Sequence, residues 1–142
     1  MSAATQADSL GELLAQTERR PAGLVVFDLD DTLLSTSNRH LRILREFATL
    51  IESRDALAAG LIRGIEREAL LYSPTETARR AGVADAVVRD LKDFWFARFF
   101  KNPYLLEDDV TPGAAEFVAA VADRKGKVVY MTGRDETMRE GT

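Results

Sequence analysis

The chain has 142 residues, of which 46% are hydrophobic and 30% are charged, proportions typical of a globular protein. Its formal net charge of −4 does not indicate nucleic-acid binding, as a strongly basic chain would. Because it has no cysteine and a single histidine, disulfides, thiol nucleophiles, zinc-thiolate sites and His-rich metal sites are excluded. We interpret the histidine, His40, as a surface residue of a helix.

The N-terminal segment carries no targeting signal. Ser9 and Glu12 fit a capping box, which predicts the start of a helix. No basic segment precedes an apolar one as in a signal peptide, and no apolar run approaches the ~18 residues of a membrane span. We therefore expect a cytoplasmic protein that has no membrane partner.

A short apolar run then ends in two carboxylates separated by one residue. Residues 24–27 are apolar and β-branched in the middle, which predicts a strand buried on both faces of a parallel sheet. Asp28 and Asp30 follow at its carboxyl end, where α/β sheets bind their ligands. Because an unpaired buried carboxylate is costly, we expect both to bind a divalent cation. The alternative is that they only form a turn.

Two segments together resemble a known family. The pattern Asp-x-Asp-x-Thr at residues 28–32, after an apolar strand, resembles the first motif of the haloacid dehalogenase superfamily. The second apolar strand at 127–131 ends at Thr132 and Gly133 and is similar to that family's second motif. The resemblance implies an α/β fold with a Rossmann-like parallel sheet core, and a Mg²⁺-dependent hydrolase of a small phosphorylated substrate.

The resemblance also assigns roles to four residues. Asp28 would attack phosphorus, form an aspartyl-phosphate and bind Mg²⁺. Asp30 would act as general acid and base, and its backbone carbonyl would bind the metal. The Thr132 hydroxyl and the Gly133 backbone N–H would bind the phosphoryl oxygens. A carboxylate at Asp30 indicates a phosphatase rather than a dehalogenase or a P-type ATPase, with a phosphomutase as the alternative.

The residues between the two motifs have helical periodicity. We predict helices at 38–59, 61–72, 74–82 and 84–101, with Ser73 as the N-cap of the third. The resemblance implies that 35–106 form an all-helical cap inserted into a discontinuous α/β core at 1–34 and 107–142. Aromatic residues of the last helix, Trp95 among them, are interpreted as packing in the cap or between cap and core, with the alternative that Trp95 or a phenylalanine lines the substrate pocket.

The tract 75–83 also resembles the helix-turn-helix of DNA-binding regulators. The helix after it would have to present basic residues to the DNA, but it carries Asp85, Asp90 and Asp93. We therefore interpret the tract as a hairpin of the cap and expect no nucleic-acid partner, with DNA binding as the less favoured alternative.

The resembled family also needs a lysine that binds the phosphoryl group and a later acidic pair that completes the metal site. Both would lie on strands beyond Thr132, and the sequence ends at Thr142. We therefore expect either an N-terminal part of a longer hydrolase or a catalytically incompetent module that binds phosphate or a partner. Because two strands leave apolar surface uncovered, homo-oligomer formation through an exposed sheet edge is a further expectation.

Four charged residues, two before the last predicted helix and two after the second motif, are interpreted as exposed. Asp108 and Asp109 precede a predicted helix and read as solvated turn residues rather than ligands. Arg134 and Asp135 directly follow Gly133 and read as an exposed pair in a loop.

Overall fold

The structure is a computed structural model that describes residues 3–20 and 22–142. Its helices are α1 (Ala3–Arg19), α2 (Ser37–Ile51), α3 (Ala56–Arg63), α4 (Pro74–Arg80), α5 (Asp85–Phe99), α6 (Asn102–Leu105) and α7 (Ala114–Asp123), and its strands are β1 (Leu24–Asp28), β2 (Leu34–Ser35), β3 (Asp109–Val110) and β4 (Lys127–Met131). Short 3-10 helices lie at Arg67–Ala69 and Glu136–Gly141. Ser9 lies inside α1, so the helix start predicted there is wrong. No described helix is long and apolar enough to cross a membrane.

The chain forms two compact units. The first, called here the sheet unit, runs to Ser35 and resumes at Val110–Gly133. The second, the helical unit, comprises Thr36–Asp109 and Arg134–Thr142. The mixture of helices with a parallel sheet confirms the predicted α/β class. The predicted domain boundaries, and the role of the helices as a cap, stay predictions.

The sheet unit is built on two parallel strands. β1 and β4 pair in register, with Val26 beside Val129 and Asp28 beside Met131. Helix α7 packs on β4, and the rings of Phe27 and Phe117 meet edge to face with centroids 6.0 Å apart. β2 and β3 form a separate short pair.

One face of the β1–β4 sheet is open in the described part of the chain. Leu24 and Val26 are 63% and 47% exposed, and Val129 and Met131 are 41% and 63% exposed. Side chains alternate along a strand and match across a parallel register, so these four lie on one face. The prediction that β1 is buried on both faces is therefore wrong. Both faces of a parallel strand are buried only where helices cover both faces of its sheet.

Helices α1 and α7 both pack closely against Gly126, in the turn before β4. A Cβ at this position would lie 2.8 Å from Cγ2 of Thr17 in α1 and 2.8 Å from Cγ1 of Val121 in α7. The two helices are also joined by an ion pair of 3.0 Å between Arg124 and Glu18. The turn before β4 therefore needs a residue without a side chain.

The helices of the helical unit differ in length from those predicted. The single helix predicted at 38–59 is two helices, because Asp55 caps a new one by accepting a hydrogen bond of 2.9 Å from the Ala58 N–H. The helix predicted at 61–72 is wrong, since α3 already ends at Arg63 and only a 3-10 turn follows. The N-cap at Ser73 is confirmed, with its hydroxyl accepting from the Glu76 N–H at 3.4 Å.

Apolar side chains from α2 to α5 form the core of the helical unit. Helices α4 and α5 pack together as the predicted hairpin, turning at Gly82 with a φ of +87° that favours glycine. The following buried residues, which share an exposure of 1% or less, lie at its centre: Leu44, Phe47, Ala48, Ile51, Ala59, Ile62, Ala78, Val88 and Leu91.

Candidate active site

Three backbone hydrogen bonds to one carbonyl oxygen, that of Leu29, close the loop after β1. The backbone N–H groups of Thr32, Leu33 and Leu34 all donate to the Leu29 oxygen, at 3.2, 3.1 and 2.9 Å. The Asp31 N–H donates back to the Leu34 oxygen at 2.7 Å. Asp31 has a φ of +56°, in the left-handed region that aspartate tolerates better than most residues. The backbone of the loop is therefore set by its own hydrogen bonds.

The two predicted site carboxylates lie at the start of this loop. Asp28 is the last residue of β1 and its side chain is exposed. Asp30 is half-buried and pairs with Leu34 in an isolated parallel bridge. The Thr32 hydroxyl donates to the Asp28 carboxylate, with 3.4 Å between Oγ1 and Oδ2. This contact orients Asp28 from within the same loop.

The parallel register brings the second motif to the same end of the sheet. Met131 lies beside Asp28, and Thr132 and Gly133 follow it directly. Neighbouring strands are about 4.8 Å apart, so the residues that leave these two strands emerge side by side. Thr132 is half-buried and Gly133 is exposed. Apart from its two neighbours in the chain, no described atom lies within 4 Å of where a Cβ of Gly133 would be, so the space beside its backbone is open.

The donor chemistry of this end suits a magnesium ion. Magnesium takes oxygen ligands and commonly binds one or two carboxylates, with water and substrate phosphate completing its octahedron. Asp28 supplies carboxylate oxygens, and Asp30 supplies a backbone carbonyl oxygen. Among the residues the structure describes, no three histidine, cysteine or acidic side chains are grouped to hold a metal ion.

The side chains of Asp108 and Arg134 are buried, in contrast to their prediction as exposed. The side chains of Asp108 and Arg134 are each 3% exposed. Arg134 Nη2 donates to Asp108 Oδ2 at 2.7 Å, and Arg39 Nε donates to Oδ1 at 2.8 Å. Burial of these charges is possible because each faces a partner of opposite sign within hydrogen-bond distance.

The other two residues of that set are exposed, as predicted. Asp109 accepts hydrogen bonds from Asn38 at 2.8 Å and Arg67 at 3.3 Å while 53% of its side chain stays exposed. Asp135 caps the last 3-10 helix and accepts from the Thr137 N–H at 2.8 Å. Hydrogen bonds from the Thr137 hydroxyl and backbone lower the pKa of Asp135.

His40 is buried, so its interpretation as a surface residue is wrong. It is 7% exposed, and Trp95 Nε1 donates to its Nδ1 at 3.1 Å. The His40 ring also packs against Phe99, with centroids 4.8 Å apart. Trp95 and Phe99 join Ile43 in a buried cluster, which confirms that the aromatic segment contributes to packing.

Two features of the structure were not anticipated from the sequence. Thr32 donates a hydrogen bond to Asp28. This contact could have been predicted from the sequence, because Thr32 lies four residues after Asp28 in a turn-forming segment. The burial of Arg39 had no such signal, because an arginine in an amphipathic helix is normally exposed.

The fold and these residues define an α/β protein with two carboxylates and a hydroxyl at the carboxyl end of parallel strands. The family model of the haloacid dehalogenase-like hydrolases matches residues 23–142, and the chain belongs to this family. Comparisons with curated proteins and with solved structures gave no significant match. Membership makes the chain a hydrolase-family protein and confirms the resemblance of the two motifs. The roles of individual residues, the metal and the cytoplasmic location stay predictions.

Proposed function

We propose that this protein is a Mg²⁺-dependent phosphatase-like hydrolase that acts on a small phosphorylated substrate through an aspartyl-phosphate on Asp28. One observation carries the proposal. The register of β1 and β4 pairs Asp28 with Met131, so Asp28, the proposed nucleophile, lies at the end of the sheet where Thr132 and Gly133 follow β4. Membership of a hydrolase family supports the same reading.

The proposed reaction has two steps, each of which uses both aspartates. A carboxylate oxygen of Asp28 forms a bond to phosphorus while the bond from phosphorus to the leaving oxygen breaks. The leaving oxygen keeps the electron pair and takes a proton from Asp30. Asp30, now ionised, then accepts a proton from the water that attacks phosphorus and releases the Asp28 carboxylate. The exposure of Asp28 gives a substrate access to it.

The second motif would bind the transferred group. The Thr132 hydroxyl and the Gly133 N–H are donors suited to phosphoryl oxygens, and the open space beside Gly133 admits them. Asp28 and Asp30 would hold Mg²⁺, which when bound offsets the repulsion between a carboxylate and a phosphoryl group. We further propose that the helical unit acts as a cap that selects the substrate.

A phosphate-binding module without turnover is the second candidate. The positions of the lysines near β4 favour it over a protein with turnover, because a phosphatase of this family needs a lysine at the phosphoryl group. Lys127 begins the strand and Lys125 precedes it, so both lie at the opposite end from Met131. Neither is placed to bind a phosphoryl group on Asp28. No comparable observation favours DNA binding, because the buried side chains of α4 and α5 face the core and Asp85 and Asp90 are exposed.

Hydrolysis of an aryl phosphate with Mg²⁺ tests the proposal. Asp28→Asn keeps the size of the side chain and removes the attacking charge, so turnover should fall by about 10³-fold or more. Asp31→Asn is the matched control, because Asp31 is exposed and its left-handed backbone suits asparagine equally well. Near-normal turnover by Asp28→Asn would exclude the aspartyl-phosphate route. Phosphate binding by a protein that shows no turnover would favour the binding module.

We also propose that copies of the chain associate through the exposed edge of the β1–β4 sheet. In the two-stranded sheet, the outer edge of each strand has no further described strand beside it, and the open face next to these edges is apolar and includes Val26 and Val129. Sedimentation should then show a concentration-dependent oligomer that Val26→Lys disrupts. Leu57→Lys is the control, since Leu57 is 76% exposed in the helical unit. A wild-type protein that stays monomeric at all concentrations would exclude this association.

A further inference from the structure

A cleft in the helical unit has no role in the two proposed chemical steps. It has a volume of about 470 Å³ and lies between the end of α3, the segment that follows α3, and α4. Small and apolar residues make up most of its lining, namely Gly60, Leu61, Gly64, Ile65, Ala69 and Ala81. Small-molecule pockets commonly have volumes of about 300–1,000 Å³ and a predominantly apolar lining. The cleft therefore has the size and the surface of a small-molecule site.

Hydrogen bonds hold the walls of this cleft in place. The Gly64 N–H donates to the Gly60 oxygen at 3.1 Å, at the end of α3. On the other wall, the Thr77 hydroxyl accepts from the Leu71 N–H and donates to the Ser73 oxygen, both at 2.9 Å. Thr77 is only 2% exposed, so its hydroxyl joins α4 to the chain before that helix in a buried position. A cleft that is already formed loses less free energy to ordering when a ligand binds.

Among the described residues of the lining, Arg80 alone is charged, and its charge is not balanced within the protein. No described residue forms a hydrogen bond or an ion pair with its side chain. Its neighbour Arg79, in contrast, donates to Asp85 at 2.8 Å. The N–H groups of a guanidinium match the two oxygens of a carboxylate. An apolar cleft with an unpaired arginine is therefore complementary to a molecule with a hydrocarbon body and an anionic end.

The charge of the cleft favours one class of anion. A phosphate monoester carries about 1.5–2 negative charges at pH 7 and presents three acceptor oxygens, more than one arginine can balance. A carboxylate carries a single charge and two oxygens. The apolar residues of the lining offer no donor side chain for further oxygens, since Thr77 already uses its hydroxyl hydrogen on Ser73. A monocarboxylate therefore fits the cleft better than a phosphorylated molecule does.

We propose that this cleft binds an aliphatic or aryl monocarboxylate, with the hydrocarbon body against the apolar lining and the carboxylate at Arg80. Burial of hydrocarbon surface supplies the larger part of the affinity. The ion pair with an exposed arginine adds a smaller part and sets the orientation of the ligand. The site lies wholly within the helical unit and needs neither Mg²⁺ nor a phosphoryl group, so it is independent of the proposed hydrolase function.

Titration of the full chain with decanoate in the absence of Mg²⁺ tests this proposal. Calorimetry measures Kd, and decanol serves as the uncharged match. Arg80→Gln removes the charge, and Arg89→Gln is the matched control, because Arg89 is an exposed arginine of α5 outside the lining. Gly60→Leu adds a side chain to the lining. Apart from its chain neighbours and the backbone of its own helix, no described atom lies within 4 Å of a Cβ at Gly60, so the leucine has room.

We expect decanoate to bind the wild-type protein about threefold to tenfold more tightly than Arg80→Gln, with no change in Arg89→Gln. Added salt should weaken binding to the wild type and leave binding to Arg80→Gln nearly unaffected. Gly60→Leu should reduce affinity about tenfold or more, because its side chain takes the place of the ligand. In labelled protein, the backbone amide resonances of Gly60 and Gly64 should move during the titration, which places the ligand in this cleft.

Four results would overturn the proposal. They are the absence of decanoate binding, equal affinities of Arg80→Gln and Arg89→Gln, binding of decanol as tight as that of decanoate, and binding that leaves the Gly60 and Gly64 resonances unmoved. A change in sedimentation of Arg80→Gln would also overturn it, since a second copy of the chain would then occupy the cleft. Thermal unfolding checks the fold of each variant, and if Arg80→Gln does not fold, Gly60→Leu and the glycine resonances decide. Phosphatase activity is not part of any of these readouts, so failure of the hydrolase proposal leaves the result standing.

Discussion

The Thr32 hydroxyl donates a hydrogen bond to the Asp28 carboxylate across a loop of only four residues, with 3.4 Å between Oγ1 and Oδ2. The backbone of this loop is held by three N–H groups that converge on the Leu29 oxygen. These hydrogen bonds fix the backbone that carries the Thr32 hydroxyl. A donor in that position lowers the freedom of the carboxylate to rotate away from an attacking geometry.

Replacing Thr32 should therefore slow the reaction without abolishing it. Thr32→Val keeps the shape of the side chain and removes the donor. A hydrogen bond to a charged group contributes about 1.5–3 kcal/mol, and this one is long, so we expect kcat to fall by about tenfold with little change in KM. Thr32→Ser keeps a hydroxyl and should restore most of the rate. Equal kcat values for Thr32→Val and wild type would remove Thr32 from the orientation of Asp28.

Replacing Asp30 should separate the two halves of the reaction. Asp30→Asn cannot protonate the leaving group or activate water, so both steps should slow by about 10²- to 10⁴-fold while Asp28 can still attack. Phosphoenzyme should therefore accumulate when the leaving group is good, and acid quenching should trap it. The pH profile of kcat/KM should also lose the limb that reports the acid. A variant with an unchanged pH profile would show that Asp30 is not the acid–base group.

A methyl group at Gly126 should destabilise the sheet unit. The added Cβ would lie 2.8 Å from side-chain carbons of Thr17 and Val121 and 3.0 Å from the Val121 oxygen. Overpacking of this kind costs about 1–3 kcal/mol, which urea unfolding can measure. Gly11→Ala is the control, because Gly11 lies in α1 and, apart from the backbone of its own helix, no described atom lies within 4 Å of a new Cβ. That substitution should stabilise by about 0.5–1 kcal/mol, so the two changes should have opposite signs.

The stability of the helical unit should depend on pH through Glu46. Burial raises the pKa of Glu46, but the hydrogen bond from Tyr104 and the ion pair with Arg42 together outweigh it and hold the pKa below the ordinary glutamate range. The folded state thus binds a proton less tightly than the unfolded state. The contribution to stability is present above the ordinary pKa range of glutamate and is lost as the pH falls through the lowered pKa.

Removing the Tyr104 hydroxyl tests this dependence. Tyr104→Phe should lower the free energy of unfolding by roughly 0.5 kcal/mol at pH 7, a small effect because Glu46 is partly exposed. The difference from wild type should shrink as the pH is lowered below the ordinary glutamate range. Tyr72→Phe is the control, since Tyr72 is 97% exposed. A difference that is constant from pH 7 into the acid range would show that the hydroxyl does not act through the Glu46 charge.

The sequence by itself determined the features that depend on neighbouring residues. Strand β4 spans the residues predicted, and β1 extends one residue beyond its prediction, to Asp28, because strand formation follows from short β-branched segments bounded by turn residues. The placement of Asp28 and Thr132 at one end followed from expecting a parallel pair, and the register confirms that pairing. The cap at Ser73 also formed as its local pattern indicated.

The tertiary structure alone decided which polar residues are buried and which apolar ones are open. His40 meets Trp95 across 55 positions of sequence, and Arg39 meets Asp108 across 69. Nothing local to Asp108 distinguishes it from Asp109, yet one side chain is buried and the other is half exposed. Burial of a charge depends on whether a partner arrives from elsewhere in the chain to replace its water. Likewise Val26 reads as a core residue from its neighbours, and it is open because the described helices leave that face of the sheet uncovered.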